Sequence, residues 1–358
     1  MVGTIRAPLF VPANRPERFA KAAASGTDAV ILDLEDAVAV DAKDAARAAL
    51  TKDFTALPVI VRINAQGTPW HDADMAAVAA LHPAAVILPK AAKNPAEIAG
   101  MRAAHLRDGA AVTELLCWLD RRAPRLEDEP LTEIGVARKL EELRMARGIL
   151  DISFDTISAT GPHGAICHYR VSADSDLRIL PGQVLLVDSG GQYPDGTTDI
   201  TRTLPMGDPD PAVRRPYTRV LQGMIALSRA QFPRGVAGCH LDALARAPLW
   251  MEGLDYDHGT GHGVGAGLSV HEGPVRISRV SDIPLEPGMI LSNEPGYYRE
   301  GAFGIRIENL LVVHPVESPN GRAMLGFETL TLAPIDRRLI DPALLRPGRF
   351  DELVYVSV

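Results

Sequence analysis

Cysteine is scarce. The 358 residues hold three, Cys117, Cys167 and Cys239, far apart in the chain. That spacing argues against a disulfide framework or a paired-cysteine metal knot, and it suits a reducing compartment. Lysine is also rare, with six, at 21, 43, 52, 90, 93 and 139, and none after Lys139. No glycine-rich phosphate loop ending in Lys-Ser or Lys-Thr occurs, which excludes ATP hydrolysis of the Walker type. No apolar run reaches the ~18 residues needed to cross a bilayer, so no membrane partner is expected. The first ten residues lack the charged-then-apolar pattern of a secretory signal, and a cytoplasmic location is expected. A basic excess is missing too. The 37 Lys and Arg against 45 Asp and Glu leave a net charge of −8, the wrong sign for a dedicated nucleic-acid binder. No internal repeat or low-complexity stretch appears.

What remains is a globular composition, 46% hydrophobic and 23% charged. The length suits two or three domains. Residues 6–90 alternate short β-branched runs with helical stretches. Strands are expected at 8–12, 29–34, 59–63 and 85–88, and helices at 15–24, 42–50 and 71–81. Such alternation predicts a parallel sheet, open or barrel-like. From about Asn94 the texture changes. Helices are expected over 98–120 and 131–147, the second capped by Thr132. A strand-rich stretch follows over 151–205, then helices over 212–232 and 241–251. Strands and glycine-rich turns return over 253–335, in an α+β pattern with an antiparallel flavour.

The strongest chemical signal is a set of five donors in the second half. Asp188 closes the apolar run VLLVDSG, and Asp199 follows in GTTDITRT. His262 lies in HGTGHGVG, Glu294 in LSNEPGYY and Glu308 in IRIENL. Each acid follows or lies within an apolar strand, where an unpaired charge is costly, so a buried cation is the economical explanation. Carboxylates with one imidazole suit Mn, Co, Fe or Zn rather than a thiolate-selected metal. Four carboxylates exceed the needs of one small ion and can bridge two, ~3.5–4 Å apart, as in hydrolysis by a shared hydroxide. His168, His258, His271 and Arg306 lie in the same motifs and could shuttle protons or hold a developing oxyanion. His71, His82, His105, His163, His240 and His314 are expected to be structural or exposed.

These motifs, with SATGPHGAICHY, VDSGGQYPDGTTDITRT, DHGTGHGVG, VHEGP, SNEPGYY, GIRIENL and FETLTLAPI in order, resemble the catalytic domain of Xaa-Pro aminopeptidases, in the pita-bread metallopeptidase family. The resemblance covers about 94–340. It implies a fold of two αβ halves related by pseudo-twofold symmetry. It implies metal ligation by Asp188, Asp199, His262, Glu294 and Glu308, with two divalent ions, by resemblance Mn²⁺, Co²⁺ or Zn²⁺ being the alternatives. It assigns substrate and proton handling to His168, His258 and His271, support of the site to Arg306, and the general acid/base to Glu294. The implied reaction is hydrolysis of the bond before a proline in second position, by a hydroxide bridging the ions. Peptides with proline second are the implied partners, and a homodimer is one possible assembly. The competing readings are a prolidase-type dipeptidase, a non-catalytic pita-bread binding protein and a catalytically defective fusion.

The flanks resemble other families. Residues 6–90, with PLFVPANRPERFAKAAASGTDAVILDLEDAV and VRINAQGTPWHDAD, resemble the citrate lyase β-subunit (HpcH/HpaI aldolase) family, CoA-thioester lyases on a TIM barrel. Glu35, Asp36 and Arg62 match that family's active-site positions. Only about four β/α units are present, a half barrel without the strands that carry the family's magnesium-binding acids. Residues 341–356, with Arg346 and Arg349, resemble a fragment of an AAA ATPase. The expected organisation is therefore a partial TIM-barrel segment over 1–93, a pita-bread domain over 94–340 and a tail over 341–358. The changes of family fall at short words that suit both neighbours, 88–91 and 341–345, as in a recombined or fused gene.

Overall fold

A computed structural model describes residue 5 and residues 7–65, 68–87 and 95–345. The chain divides into two compact units, residues 1–91 and 92–358. The joint at 88–91, the boundary at 93/94 and the tail arginines Arg346 and Arg349 lie outside the described residues.

The first unit alternates strands and helices as the sequence predicts. Strands β1 (Pro8–Pro12), β2 (Ala29–Asp33), β3 (Val59–Arg62) and β4 (Ala85–Ile87) form one parallel sheet in that order. Between them run α1 (Phe19–Ala23), α2 (Lys43–Ala48) and α3 (His71–Leu81). Alternate residues of the sheet, Val11, Val30, Leu32, Val59 and Val61, pack with Phe19, Ala46 and Val78 of the helices. Parallel strands need such crossovers, and each crossover covers one face with a helix.

The second unit has two helix-and-sheet halves, as expected of the pita-bread fold. In the first half, α4 (Pro95–Arg122) and α5 (Glu133–Met145) lead into β5 (Asp151–Ile152) and β6 (Ile157–Thr160). Thr132 caps α5, its hydroxyl accepting from the Gly135 amide at 3.2 Å. Strands β7 (Val184–Ser189), β8 (Gly191–Tyr193), β9 (Gly196–Thr197) and β10 (Ile200–Pro205) follow, and β10, β7 and β6 form an antiparallel sheet. Leu115 and Leu119 of α4 and Leu140 of α5 bury against Leu185, Val187 and Leu204 of that sheet.

The second half begins with α6 (Arg214–Ser228), β11 (Phe232–Pro233) and α7 (Gly238–Trp250). Strands β12 (Gly261–His262), β13 (Arg276–Ile277), β14 (Ile290–Asn293), β15 (Gly296–Arg299), β16 (Phe303–Arg306), β17 (Asn309–Val316) and β18 (Met324–Thr329) complete it. Its main sheet runs β11-β18-β17-β14, antiparallel throughout. Leu227, Leu241 and Ala245 of the helices pack on Leu291, Val313 and Leu325 of that sheet.

The start of the ATPase-like tail is built into this unit. A short turn at Pro342–Leu344 follows Asp341, whose amide donates to Thr218 Oγ1 of α6 at 2.8 Å. Gln222 Nε2, also on α6, donates to the Leu344 carbonyl at 2.7 Å. Residues 341–345 are therefore docked on α6 rather than appended to it.

Candidate metal centre

The five donors sit where strand ladders start, stop or break. Asp188 lies in β7, opposite Thr201 of β10 and Ile157 of β6. Asp199 falls one residue before β10, and His262 ends β12. The β14–β17 ladder stops at Asn293 and Asn309, and the β15–β16 ladder opens at Gly296 and Arg306. Glu294 and Glu308 fall in the gap between those ladders, one from each side. A broken ladder frees the backbone to turn side chains inward while the flanking strands stay fixed. One close approach is set by a glycine. A Cβ on Gly261 would lie 1.9 Å from the Ser292 carbonyl oxygen, so only glycine lets the strand bearing His262 lie against β14.

Ligand atoms of Asp199, His262 and Glu308 lie within 4.8 Å of one another. His262 Nε2 is 3.4 Å from Asp199 Oδ2 and 3.5 Å from Glu294 Oε1. His262 Nδ1 donates to the Gly263 carbonyl at 3.0 Å, which fixes the ring with Nε2 facing the two carboxylates. Among the described residues, three buried oxygens, Asp188 Oδ1, Asp199 Oδ1 and Glu308 Oε1, have no hydrogen-bond partner. Burial, with the charges of Asp188 and Glu294, raises the Asp199 carboxyl well above its ordinary range. Burial, with the charges of Asp199 and Glu294, does the same to Glu308. Carboxyl groups whose charge is disfavoured by burial and by one another are what a cation corrects, so the donor set fits hard divalent ions.

Neighbours hold the donors in place. Thr201 Oγ1 donates to Glu308 Oε2 at 2.6 Å, and Ser292 Oγ to Glu294 Oε1 at 2.9 Å. Arg306 Nη2 donates to Asp188 Oδ2 at 2.6 Å, and its Nη1 to Tyr298 Oη at 2.7 Å. Burial disfavours the Arg306 charge, but Tyr298, Asp188 and Glu294 outweigh it and keep the guanidinium firmly charged. His258 Nδ1 donates to the Gly259 carbonyl at 2.8 Å, so Nε2 accepts from Tyr298 Oη at 2.9 Å. Burial and the Arg306 charge push His258 down to about 3, and burial and His262 push His271 down to about 4. Both are neutral at pH 7. The His271 ring lies 4.2 Å from that of His262, centroid to centroid.

His168 is exposed, beyond the turn at Gly161–Ala165, and its charge bears on both His258 and His271. That turn lies directly on β16, since a Cβ on Gly304 would meet the Gly164 carbonyl oxygen at 1.6 Å. The structure thus gathers Asp188, Asp199, His262, Glu294, Glu308, His258, His271 and Arg306, with His168 at the rim. The remaining histidines serve elsewhere. His163 bonds Glu133 at 3.0 Å, His105 is buried in α4, and His240 Nδ1 accepts the Ala237 amide. Sequence reasoning missed Thr201, Ser292 and Tyr298, which hold the site's charged groups and rings. All three lie inside the quoted motifs, so adjacency to an acid was the available signal.

In the first unit, Arg62 meets Asp33 at 2.7 Å, and its Nη1 lies 3.7 Å from Glu35 and 3.8 Å from Asp36. These groups cluster at the C-terminal ends of β2 and β3, Asp33 and Arg62 in the last strand positions and Glu35 and Asp36 just beyond.

Four carboxylates and an imidazole inside a two-halved α+β domain define a protein built to hold divalent metal, with the pita-bread fold. The model of metallopeptidase family M24 matches residues 99–315, and the chain belongs to that family. The HpcH/HpaI aldolase/citrate lyase model matches residues 6–110. The model for the C-terminal region of peptidase M24 matches residues 323–353. That match takes in most of the ATPase-like tail, and the ATPase resemblance finds no support.

The chain is similar to Aminopeptidase P2 of Arabidopsis thaliana, at 52% identity over 270 residues, 74% of this chain and 38% of the relative. It is similar to a probable Xaa-Pro aminopeptidase P of Tuber melanosporum, at 50% over 272 residues, 74% of this chain and 44% of the relative. Among solved structures it resembles the X-prolyl aminopeptidase of Caenorhabditis elegans, described as a cytosolic enzyme with a di-nuclear active site. The TM-score is 0.71 and the identity 36%, over 88% of this chain and 51% of that one. The chain spans about half or less of the length of these relatives.

Proposed function

We propose that this chain is a metallo-aminopeptidase that releases the N-terminal residue of peptides with proline in second position. The observation that carries the reading is the convergence of four carboxylates and one imidazole, with three buried carboxylate oxygens lacking a hydrogen-bond partner among the described residues. Asp188, Asp199, His262, Glu294 and Glu308 would hold two divalent ions, Mn²⁺ being the first choice. When bound, such ions polarise a carbonyl and supply a nucleophile at neutral pH.

The protein's own groups do the rest. Glu294, with its carboxyl raised by burial against the opposing charges of His262 and Arg306, accepts and returns the proton. Neutral His271 offers a ring nitrogen to the peptide, and neutral His258, bonded at both nitrogens to Gly259 and Tyr298, holds the Tyr298 hydroxyl without adding charge to the cleft. Arg306 holds Asp188 and Tyr298, and fixes the site against β16. His168 at the rim is placed to meet the peptide as it enters.

The test is hydrolysis of alanyl-prolyl-alanine by purified, Mn-loaded protein beside Asp188→Ala. Release of alanine, lost in the variant together with bound metal, is the expected result. No release from folded protein with two bound ions overturns the reading.

A further inference from the structure

We propose that Arg246, working with Asp242, is the positioning residue that fixes the His258 ring. Both lie on α7 and are 2% exposed. They are eight or more residues from every group in the metal centre. Arg246 Nε donates to Asp242 Oδ2 at 2.7 Å. Its Nη1 donates to the Tyr256 carbonyl at 2.6 Å and to Asp255 Oδ1 at 2.9 Å, and its Nη2 to the His258 carbonyl at 2.7 Å. The guanidinium also lies over the Tyr256 ring, 3.9 Å from its centroid.

Asp242 completes the grip. Its Oδ1 accepts from Thr260 Oγ1 at 2.6 Å, and Tyr256 Oη in turn meets that hydroxyl at 2.5 Å. The helix therefore holds residues 255, 256, 258 and 260 at once. The Thr260 carbonyl then accepts the Glu294 amide at 2.8 Å. Among the described residues, backbone 258–260 precedes β12 and belongs to no strand, its one backbone tie being the Glu294 amide, so this pair supplies restraint that strand pairing supplies elsewhere. The His258 ring is bonded at both nitrogens, to Gly259 and to Tyr298, and those bonds hold only if the His258 backbone stays where Arg246 puts it. A planar fork serves carboxylates and carbonyls in several directions at once, and a lysine ammonium cannot reach them together.

This inference rests on the aminopeptidase reading for its kinetic consequence, and its chemical consequence is independent of it. Mn-loaded Arg246→Lys should lose kcat on alanyl-prolyl-alanine by about tenfold, with bound metal retained. In a His258→Ala background the same substitution should cost less than about twofold, because the ring it positions is gone. An undiminished loss in that background overturns the proposal, since general weakening of the fold would persist there. The second measurement is the carbethoxylation rate of His258 in metal-free protein, mapped by mass spectrometry against exposed His82. Arg246→Lys should raise it several-fold, and an unchanged rate overturns the proposal. An inactive wild type overturns the aminopeptidase reading alone, and the labelling rate then decides the positioning role. If Arg246→Lys does not fold, Asp242→Asn carries both measurements.

Discussion

At the residue scale, the site is a set of charges that destabilise one another until a cation joins them. Their supports are therefore as consequential as the donors. Thr201 Oγ1 donates to Glu308 and lies 3.3 Å from Arg306 Nε, so one hydroxyl orients an acid and a base together. Thr201→Val keeps the volume and removes that hydrogen bond. It should lower metal affinity by about 10–100-fold, read by titration of metal-free protein with Mn²⁺. The donors were legible in the sequence because acids inside apolar runs are unusual. Thr201, Tyr298 and Arg246 were not, because a threonine in a strand, a tyrosine in a hairpin and an arginine on a helix have ordinary structural uses.

At the scale of elements, the first half is tied together by a buried pair. Arg144 of α5 donates to Asp108 of α4 at 2.6 and 3.0 Å. Tyr193 of β8 and Thr198 add hydrogen bonds to the same carboxylate at 3.0 and 2.7 Å. Burial by itself would raise the Asp108 carboxyl, but the charge of Arg144 and these four hydrogen bonds hold it below 3.8. A carboxyl depressed in the folded state contributes stability above its unfolded pKa of about 3.8, and loses it as pH falls through the lower folded value. Asp108→Asn leaves Arg144 buried without a counter-charge and should cost about 3–5 kcal/mol in urea unfolding at pH 7. The cost should shrink as pH falls below about 3.8, where the unfolded chain's carboxyl takes up a proton, and go on shrinking towards the lower folded value.

The β12–β14 contact makes a second prediction at this scale. In Gly261→Ala the new methyl must push β12 away from Ser292, which should destabilise by about 1–3 kcal/mol in thermal unfolding. Metal affinity should fall with it, because His262 is the next residue. An affinity equal to wild type would show that β12 recovers its place.

At the scale of the whole molecule, the two units have separate cores and all five metal donors belong to one of them. Metal bound at 100 times its dissociation constant adds about 2.7 kcal/mol to the unit that holds it. Trp70 is the one tryptophan of the first unit, the others being Trp118 and Trp250. In a Trp118→Phe, Trp250→Phe protein, Mn²⁺ should leave the thermal transition seen by Trp70 fluorescence unmoved. Far-UV circular dichroism should show the second unit melting at higher temperature. A matching shift of the Trp70 signal would mean that the two units unfold as one. Among the described residues, no helix is long and apolar enough to cross a membrane.

The sequence by itself determined the alternation that makes the first unit a parallel sheet, the Thr132 cap and the five donors. Each is local, since helix caps, strand patterning and acids in apolar runs are written in neighbouring residues. Its ATPase resemblance for the tail finds no support. The tail's docking depends on Thr218 and Gln222, more than a hundred residues earlier, and no short word records that contact. Only the tertiary structure decided that broken ladders bring Asp199, His262, Glu294 and Glu308 into one cluster. It alone set Arg246 under His258, because contacts between distant segments follow from packing, which local sequence does not encode.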